Sequence, residues 1–192
     1  DDSIDIDEGY IGTFDYALVI QSESDGNRCV ESDGIGSYSS KDQTFIDDMI
    51  ARGLNSSATI KNLTCIISAE ENGTHDPGQG LRIREAHFPT IQNAIITTAY
   101  SGDEKLGDDD YNYCLRIDNE GQQAALDGEL VFEQSILACQ DLVDSDLEGQ
   151  STLAWLTNNG NNTQQSAEEG EDPTVVSNPN LQILNGYFSL AL

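Results

Sequence analysis

The chain has 192 residues, enough to bury one hydrophobic core, so a single domain is the default expectation. It has 8 Lys and Arg residues and 35 Asp and Glu residues, which give a formal net charge of −27. This charge argues against nucleic acid and anionic membranes as partners, because both bind clustered cations. Disorder is disfavoured because 37% of the residues are hydrophobic and fall in β-branched runs. The acidity is typical of a solvated surface in a saline or divalent-rich exterior.

Short runs of β-branched and aromatic residues predict strands through most of the chain. In chain order the strands are 13–21, 58–68, 81–85, 90–99, 113–118, 129–137 and 181–192. Apolar residues at helical spacing predict one short surface helix over 42–52, inside the insertion 34–55. The polar stretch 144–180 predicts a large, partly flexible excursion.

Equivalent positions in the longer strands recur at unequal intervals: Phe14, Ile60, Ile91, Phe132 and Ile183. Unequal intervals exclude a helical solenoid, whose units have a fixed length, and favour an all-β parallel β-helix with long insertion loops. Ile60, Ile91 and Phe132 are then expected to stack inward. An antiparallel sandwich and a helix over 124–143 are the alternatives.

This fold predicts three regions. Residues 1–143 form the β-helix rungs, 144–180 the polar insertion, and 181–192 a terminal strand of the same domain. No apolar run of about 18 residues is present, so no part of this segment is expected to insert into a membrane. The sequence opens on Asp1-Asp2-Ser3 without Met, and we expect a processed product or a piece of a longer protein.

The cysteines leave their pairing open. Cys29, Cys65, Cys114 and Cys139 allow three disulfide connectivities, and buried free thiols are an alternative for Cys65 and Cys139, which lie in apolar runs. No C-x-x-C pair occurs and the chain has only 2 His residues, so zinc or redox chemistry is not expected.

Carboxylates end the three short strands at Glu31, Glu85 and Asp118, so stacking would bring like charges to neighbouring rungs about 4.8 Å apart. Four arginines lie within three residues of them: Arg28, Arg82, Arg84 and Arg116. We therefore expect a structural ladder of arginines and carboxylates. A catalytic pair and a calcium site are the alternatives.

Amides occupy equivalent points of three longer strands, at Asn62, Asn93 and Gln134, and predict an amide ladder. The pattern of a glycosylation acceptor occurs at Asn55, Asn62, Asn72 and Asn161. Chance in an Asn- and Ser-rich chain is the simpler explanation, and Asn62 is assigned to the ladder.

Two acidic clusters are speculative calcium sites, because calcium binds six to eight oxygen ligands in flexible loops. The first cluster is Asp103, Glu104, Asp108, Asp109 and Asp110. The second is Asp1, Asp2, Asp5, Asp7 and Glu8. Neither matches the spacing of an EF-hand, so solvated acid is the alternative for both. Calcium is the only cofactor that the sequence suggests.

The opening run DDSIDIDEGY, with the strand that follows, resembles an element of large secreted or lipid-anchored bacterial surface proteins found in Gram-negative marine species. GNRCVESD at 26–33, GLRIRE at 80–85 and CLRID at 114–118 carry the same resemblance. It covers roughly residues 1–140 and implies a right-handed parallel β-helix at the outer cell surface, with further rungs before Asp1. It transfers no catalytic residue.

We therefore expect a non-enzymatic, extracellular structural or adhesive module, which could assemble end to end into filaments through strand 181–192. The alternative is a module that binds or cleaves a surface carbohydrate, because polysaccharide lyases and hydrolases also use β-helices with acidic clefts. That alternative needs converging aromatic platforms. The available ones are Tyr10, Tyr16, Phe88, Tyr100, Tyr111, Tyr113 and Trp155.

Overall fold

The computed structural model describes residues 2–21, 27–68, 78–99, 113–139 and 141–163. All named strands in these ranges pair in parallel and form three sheets. Each of the first four turns of the chain adds one strand to each sheet, which is the architecture of a right-handed parallel β-helix. The predicted fold class is confirmed.

Five successive turns, or rungs, make up the described coil. The first holds β1 (Ile4–Ile6), β2 (Thr13–Asp15) and β3 (Leu18–Ile20). The second holds β4 (Arg28–Asp33), β5 (Thr59–Lys61) and β6 (Thr64–Ser68). The third holds β7 (Gln79–Arg84), β8 (Thr90–Gln92) and β9 (Ile95–Ala99). The fourth holds β10 (Tyr113–Ile117), β11 (Val131–Glu133) and β12 (Ile136–Ala138), and the fifth holds β13 (Asp141–Val143) and β14 (Asn162–Thr163).

Sheet A contains β1, β4, β7, β10 and β13, sheet B contains β2, β5, β8 and β11, and sheet C contains β3, β6, β9, β12 and β14. In sheet B, Phe14 pairs with Ile60, Ile60 with Ile91, and Ile91 with Phe132. The last three are at most 1% exposed, so the predicted inward stack is confirmed. Ile183 lies outside the described residues.

The long predicted strands 13–21, 58–68, 90–99 and 129–137 are each two strands, which corrects the sequence interpretation. A single residue with positive φ ends the sheet B strand and turns the chain into sheet C. This residue is Tyr16, Asn62, Asn93 or Gln134 in successive rungs, with φ between 53° and 57°. Asparagine tolerates this left-handed conformation better than most residues, which gives a local reason for Asn62 and Asn93.

Three α-helices leave the coil, where the sequence predicted one. α1 (Gln43–Ala51) begins at Asp42, whose carboxylate accepts from the Phe45 N–H, and agrees with the predicted surface helix. α2 (Glu120–Asp127) ends at Gly128, in a left-handed conformation. The suggested helix over 124–143 is wrong beyond Asp127, because β11 and β12 follow.

α3 (Thr152–Asn158) lies between β13 and β14 within the fifth rung and packs over the core. Leu147, Trp155 and Leu156 are buried there, and the Trp155 indole donates to the Ala125 carbonyl at 3.1 Å. Residues 144–163 therefore belong to the β-helix, which corrects their assignment to a polar excursion. Residues 164–180 and the predicted strand 181–192 lie outside the described ranges. No described helix is both long and apolar enough to cross a membrane.

Two disulfides join strands of sheet A to sheet C, linking Cys29 to Cys65 and Cys114 to Cys139. Gly80 lies between Cys29 and Cys114 in sheet A. A side chain at Gly80 would collide with the Cys114 carbonyl, so only glycine fits between these two half-cystines.

Candidate functional site

The polar side chains of sheet A form an ion-pair face. Its members are Asp2, Arg28, Glu31, Asp33, Arg82, Arg84, Arg116, Asp118 and Asp144. Alternate residues of β4, β7 and β10 are buried, and the charged residues between them are half-buried, as the period of two in a strand requires.

The register of this face differs from the predicted one. Glu31 pairs with Arg82 and Asp33 with Arg84, so the carboxylates Glu31, Glu85 and Asp118 do not stack. The buried apolar residues of β4, β7 and β10 set the register, and they shift the strand ends relative to one another. Glu85 lies in the turn after β7 with φ 54°, and it makes no ion pair within the described ranges.

Every arginine of the ion-pair face contacts a carboxylate. The contacts are Arg28–Asp2 (3.6 Å), Arg28–Glu31 (2.9 Å), Arg84–Glu31 (2.9 Å), Arg84–Asp33, Arg82–Asp118 (3.2 Å), Arg116–Asp118 (3.0 Å) and Arg116–Asp144 (2.8 Å). The Asp33 carboxylate raises the pKa of the Arg84 guanidinium. The structure thus brings Arg82, Arg84, Arg116, Glu31 and Asp118 together in a network of ion pairs.

Glu31 is the group of this face that titrates near neutrality. Burial raises its pKa to about 7, and the neighbouring Asp2 carboxylate acts in the same direction. Arg28 and Arg84 oppose the shift but do not cancel it. A carboxyl group with such a pKa can hold or release a proton at neutral pH.

A second polar row, the amide corner, follows the bends between sheets B and C. It consists of Tyr16, Asn62, Asn93 and Gln134. The Asn93 amide donates to the Asn62 amide oxygen at 2.6 Å, and the Asn62 amide donates to the Asp15 carboxylate at 2.7 Å. Gln134 continues the row without a hydrogen bond to it in the described structure. Tyr16 is 82% exposed.

The outer row of sheet B runs beside the amide corner. It is formed by Asp15, Lys61, Gln92 and Glu133, which pair in register. The Gln92 amide donates to the Glu133 carboxylate. Amide and charged side chains therefore cover a strip two residues wide along the coil.

The aromatic residues do not converge on one cleft. Tyr113 is 1% exposed and its hydroxyl donates to Gln79, while Trp155 is buried under α3. Tyr10 packs against Phe14 with ring centroids 5.4 Å apart. Tyr100 and Tyr111 lie outside the described residues. Tyr16 is left as the most exposed of the described platforms.

The predicted calcium loop with Asp103, Glu104, Asp108, Asp109 and Asp110 lies outside the described residues. Within the described ranges, no group of three or more His, Cys, Asp or Glu side chains is arranged to hold a metal ion. Of the N-terminal cluster, Asp2 is engaged by Arg28.

His87 is a buried polar group that the sequence did not single out. It is fully buried, and its Nε2 accepts from the Ala58 N–H at 3.1 Å, so the proton of the neutral ring resides on Nδ1. Burial lowers the pKa of His87 to about 4. Buried and hydrogen-bonded to the backbone, His87 serves the fold.

Sequence reasoning missed Asp33 and Asp144 on the ion-pair face, and it named Tyr16 as an aromatic platform without placing it in the row of amides. Tyr16 follows Phe14 by two residues, as Asn62 follows Ile60, so the repeat itself carried the signal. Asp33 and Asp144 could be placed only after the strand register was known.

Parallel sheets, a continuous apolar core and polar outer faces define a parallel β-helix protein. More narrowly, the chain belongs to the pectate-lyase-like β-helix domain family, whose model matches residues 1–180. Membership places it among polysaccharide-related or surface modules. Searches of curated proteins and of solved structures gave no match.

Proposed function

We propose that the protein is a non-enzymatic, extracellular adhesive module that binds a neutral glycan along the amide corner. The observation that carries this proposal is the position of Tyr16, an 82% exposed ring at the head of a row of amides. An exposed Tyr offers a flat apolar face with a polar tip. Amides offer both donors and acceptors, which match sugar hydroxyls.

The geometry of the corner supports an extended ligand. Successive amides are one rung apart, about 4.8 Å, so they repeat along the coil axis. The backbone at Asn62 and Asn93 is hydrogen-bonded to the next rung, which fixes the side chains before a ligand arrives. Little conformational entropy is then lost on binding.

Tyr16 has φ 57°, a conformation that a bulky side chain adopts at a cost of the order of 1 kcal/mol. Asn62 and Asn93 occupy the same conformation with much less strain. The same turn sets φ 54° at Gln134, so the exposure of the Tyr16 ring, and not its backbone conformation, supports a binding role.

Charge favours a neutral glycan over an acidic one such as pectate. The chain carries −27, which repels a polyanion. The arginines that could attract uronate groups, Arg28, Arg82, Arg84 and Arg116, already contact carboxylates. We therefore expect neutral polysaccharides to bind better than polyuronates.

An extracellular location is supported by the two disulfides, because such bonds persist mainly in oxidising compartments. The surface acidity agrees with this location.

A glycan array that includes neutral and acidic polysaccharides tests the proposal, followed by calorimetric titration of the best ligand. Tyr16→Ala should weaken binding about 10-fold or more, as loss of a stacking aromatic commonly does. Phe45→Ala is the matched control, because Phe45 is a 41% exposed aromatic on α1. Equal affinities of the two variants, or binding of polyuronates alone, would contradict the proposal.

Carbohydrate cleavage is the second candidate, favoured by the family and by Glu31. This carboxyl lies against Arg28 and Arg84, with a pKa of about 7, as a general acid or base requires. The test is product release from the polysaccharides of the array by the wild type and by Glu31→Gln. Turnover that the Gln variant loses would replace the adhesive function with an enzymatic one.

A further inference from the structure

The outer face of sheet C consists of two rows of side chains. Along its strands, Val19, Cys65, Ile96 and Leu137 belong to the hydrophobic core or pack against it. The residues on either side of them point outward, as the period of two in a strand requires. They pair across the sheet in two rows, which we call the sheet C face: Leu18, Thr64, Ile95 and Ile136, and Ile20, Ile66, Thr97 and Ala138.

The sheet C face differs from the outer faces of the other two sheets. None of its eight residues is charged, and six are hydrophobic. Sheet A displays the ion-pair face, and sheet B displays a row with Asp15, Lys61 and Glu133. A sheet face that meets water normally carries polar side chains. A contiguous apolar face of this kind marks a docking surface.

Burial along the sheet C face increases from β3 to β12. In one row, Leu18 is 63% exposed, Ile95 is half-buried and Ile136 is 6% exposed. Ile95 is paired with a strand on each side, so flanking strands alone leave an isoleucine half-buried. Ile136 and Ala138, which is 2% exposed, belong to neither hydrophobic cluster of the described residues. Their burial therefore requires a cover on the outer side of the sheet.

Composition identifies the stretch of chain that can provide this cover. Outside the described ranges, the stretches 22–26, 69–77, 100–112 and 164–180 all contain acidic residues. Burying a carboxylate without a partner is costly, and the eight residues of the sheet C face offer no cation. Residues 181–192, LQILNGYFSLAL, carry no charge and are mostly hydrophobic. Of these stretches, their chemistry alone matches the face.

We propose that residues 181–192 dock on the sheet C face of their own chain and bury its apolar rows. The described chain reaches Thr163 in β14, a strand of sheet C, and therefore leaves the coil beside this face. A segment that arrives from β14 meets Ile136 and Ala138 first, where burial is deepest.

The intervening chain is long enough for this contact. Residues 164–180 number 180 − 163 = 17 and can span up to about 56 Å when fully extended. From β3 to β12 the sheet C face spans three rung spacings, about 14 Å in all. A segment tied to the coil by such a linker has a high effective concentration at the face, which favours it over a second copy. Held in this way, strand 181–192 is not free to join molecules end to end.

Photocrosslinking in the full chain tests the proposal. Phe188→p-benzoylphenylalanine places a reactive ring in the segment, and mass spectrometry of the digest should find it joined to β6, β9 or β12 of the same chain. Phe45→p-benzoylphenylalanine is the matched control, because Phe45 is 41% exposed on α1 and should not label these strands. Absence of labelling in sheet C would overturn the proposal. Crosslinked species of twice the chain mass would also overturn it and assign the face to a second copy.

Two double variants test the docking by a second readout. Leu184→Asp with Phe188→Asp should release the segment and raise the fluorescence of an apolar dye such as ANS about threefold or more, because ANS binds exposed hydrophobic surface. Phe45→Asp with Leu153→Asp is the matched control, since both positions are already exposed, and it should bind dye like the wild type. Equal dye binding by the two variants would overturn the proposal. Tyr16 is unchanged throughout, so failure here is distinguishable from failure of the glycan test.

Discussion

The ion-pair face and the amide corner both stack polar side chains at the spacing of the rungs. The two surfaces differ in the partners that these side chains contact. On the ion-pair face each arginine meets a carboxylate of the same chain, and the side chains are 9% to 31% exposed. At the amide corner only Asn62 and Asn93 bond to each other, and Tyr16 faces solvent.

The ion-pair face is therefore assigned to the stability of the fold, and the amide corner is the surface that we propose binds a ligand. Half-buried charges that form ion pairs with one another leave little to offer a ligand. Exposed polar side chains and a ring contribute less to stability, and we propose that they bind the ligand. Substitution should therefore affect the free energy of unfolding on the first surface and ligand affinity on the second.

The largest expected effect on the pH dependence of stability comes from His87. This effect must be distinguished from that of the ion-pair face. The pKa of His87 is about 4 in the folded state against about 6.5 in the unfolded chain, so the unfolded chain binds the proton first as pH falls. Stability is full above pH 6.5 and falls by about 3 kcal/mol as the pH drops to 4.

His87→Gln should remove this loss, because Gln stays neutral and can still accept from the Ala58 N–H. Urea titrations of both proteins at several pH values measure the difference. Glu31 acts with the opposite sign, since its raised pKa makes stability fall as pH rises from 4.5 through about 7, and it cancels in the comparison. Parallel stability curves would show that His87 is not buried as described.

Arg84→Ala tests the ion-pair face itself. It leaves Glu31 and Asp33 short of a cation, and we expect a loss of about 2 kcal/mol, between the values for exposed and fully buried pairs. Arg52→Ala is the matched control, because its pair with Asp48 is about 60% exposed on both sides and should contribute less than about 0.5 kcal/mol. Urea unfolding at pH 8 measures both. Equal losses would mean that burial gives this face no advantage.

Asn93→Gly should have the smallest effect on stability. Glycine adopts φ 55° without strain, so the loss is limited to one amide hydrogen bond and should stay below about 1 kcal/mol. Asn93→Ala should cost about 1 kcal/mol more, because alanine is strained there. If glycine and alanine are equally destabilising, the hydrogen bond and not the backbone conformation selects asparagine.

The stack of buried apolar residues could be predicted from the sequence because its pattern repeats. Phe14, Ile60, Ile91 and Phe132 recur with the same flanking pattern, and inward stacking follows once the strands are parallel. The bends between sheets B and C could not be predicted, because a single residue in a left-handed conformation leaves the surrounding β-branched pattern almost unchanged. Asn62 therefore looked like the middle of a strand.

The charged register was predicted wrongly for a physical reason. The prediction matched Glu31 to Glu85 because both residues lie at the ends of strands. The molecule instead aligns Val30 with Leu81 and Leu115, because burial of these residues contributes more to stability than the placement of charges. The pairing of the cysteines and the cap formed by Trp155 also depend on contacts between distant rungs. Composition and spacing cannot supply such contacts.

The two disulfides divide the chain into segments that respond differently to proteases. Cys29–Cys65 encloses the loop with α1, and Cys114–Cys139 encloses α2. A single cut inside either segment leaves the fragments covalently joined, so they separate on a gel only after reduction. A cut between Cys65 and Cys114 yields two pieces that only strand pairing holds together. A chain of this design should tolerate nicks in its two enclosed loops, and the stretch between Cys65 and Cys114 is a weak point because neither bridge spans it.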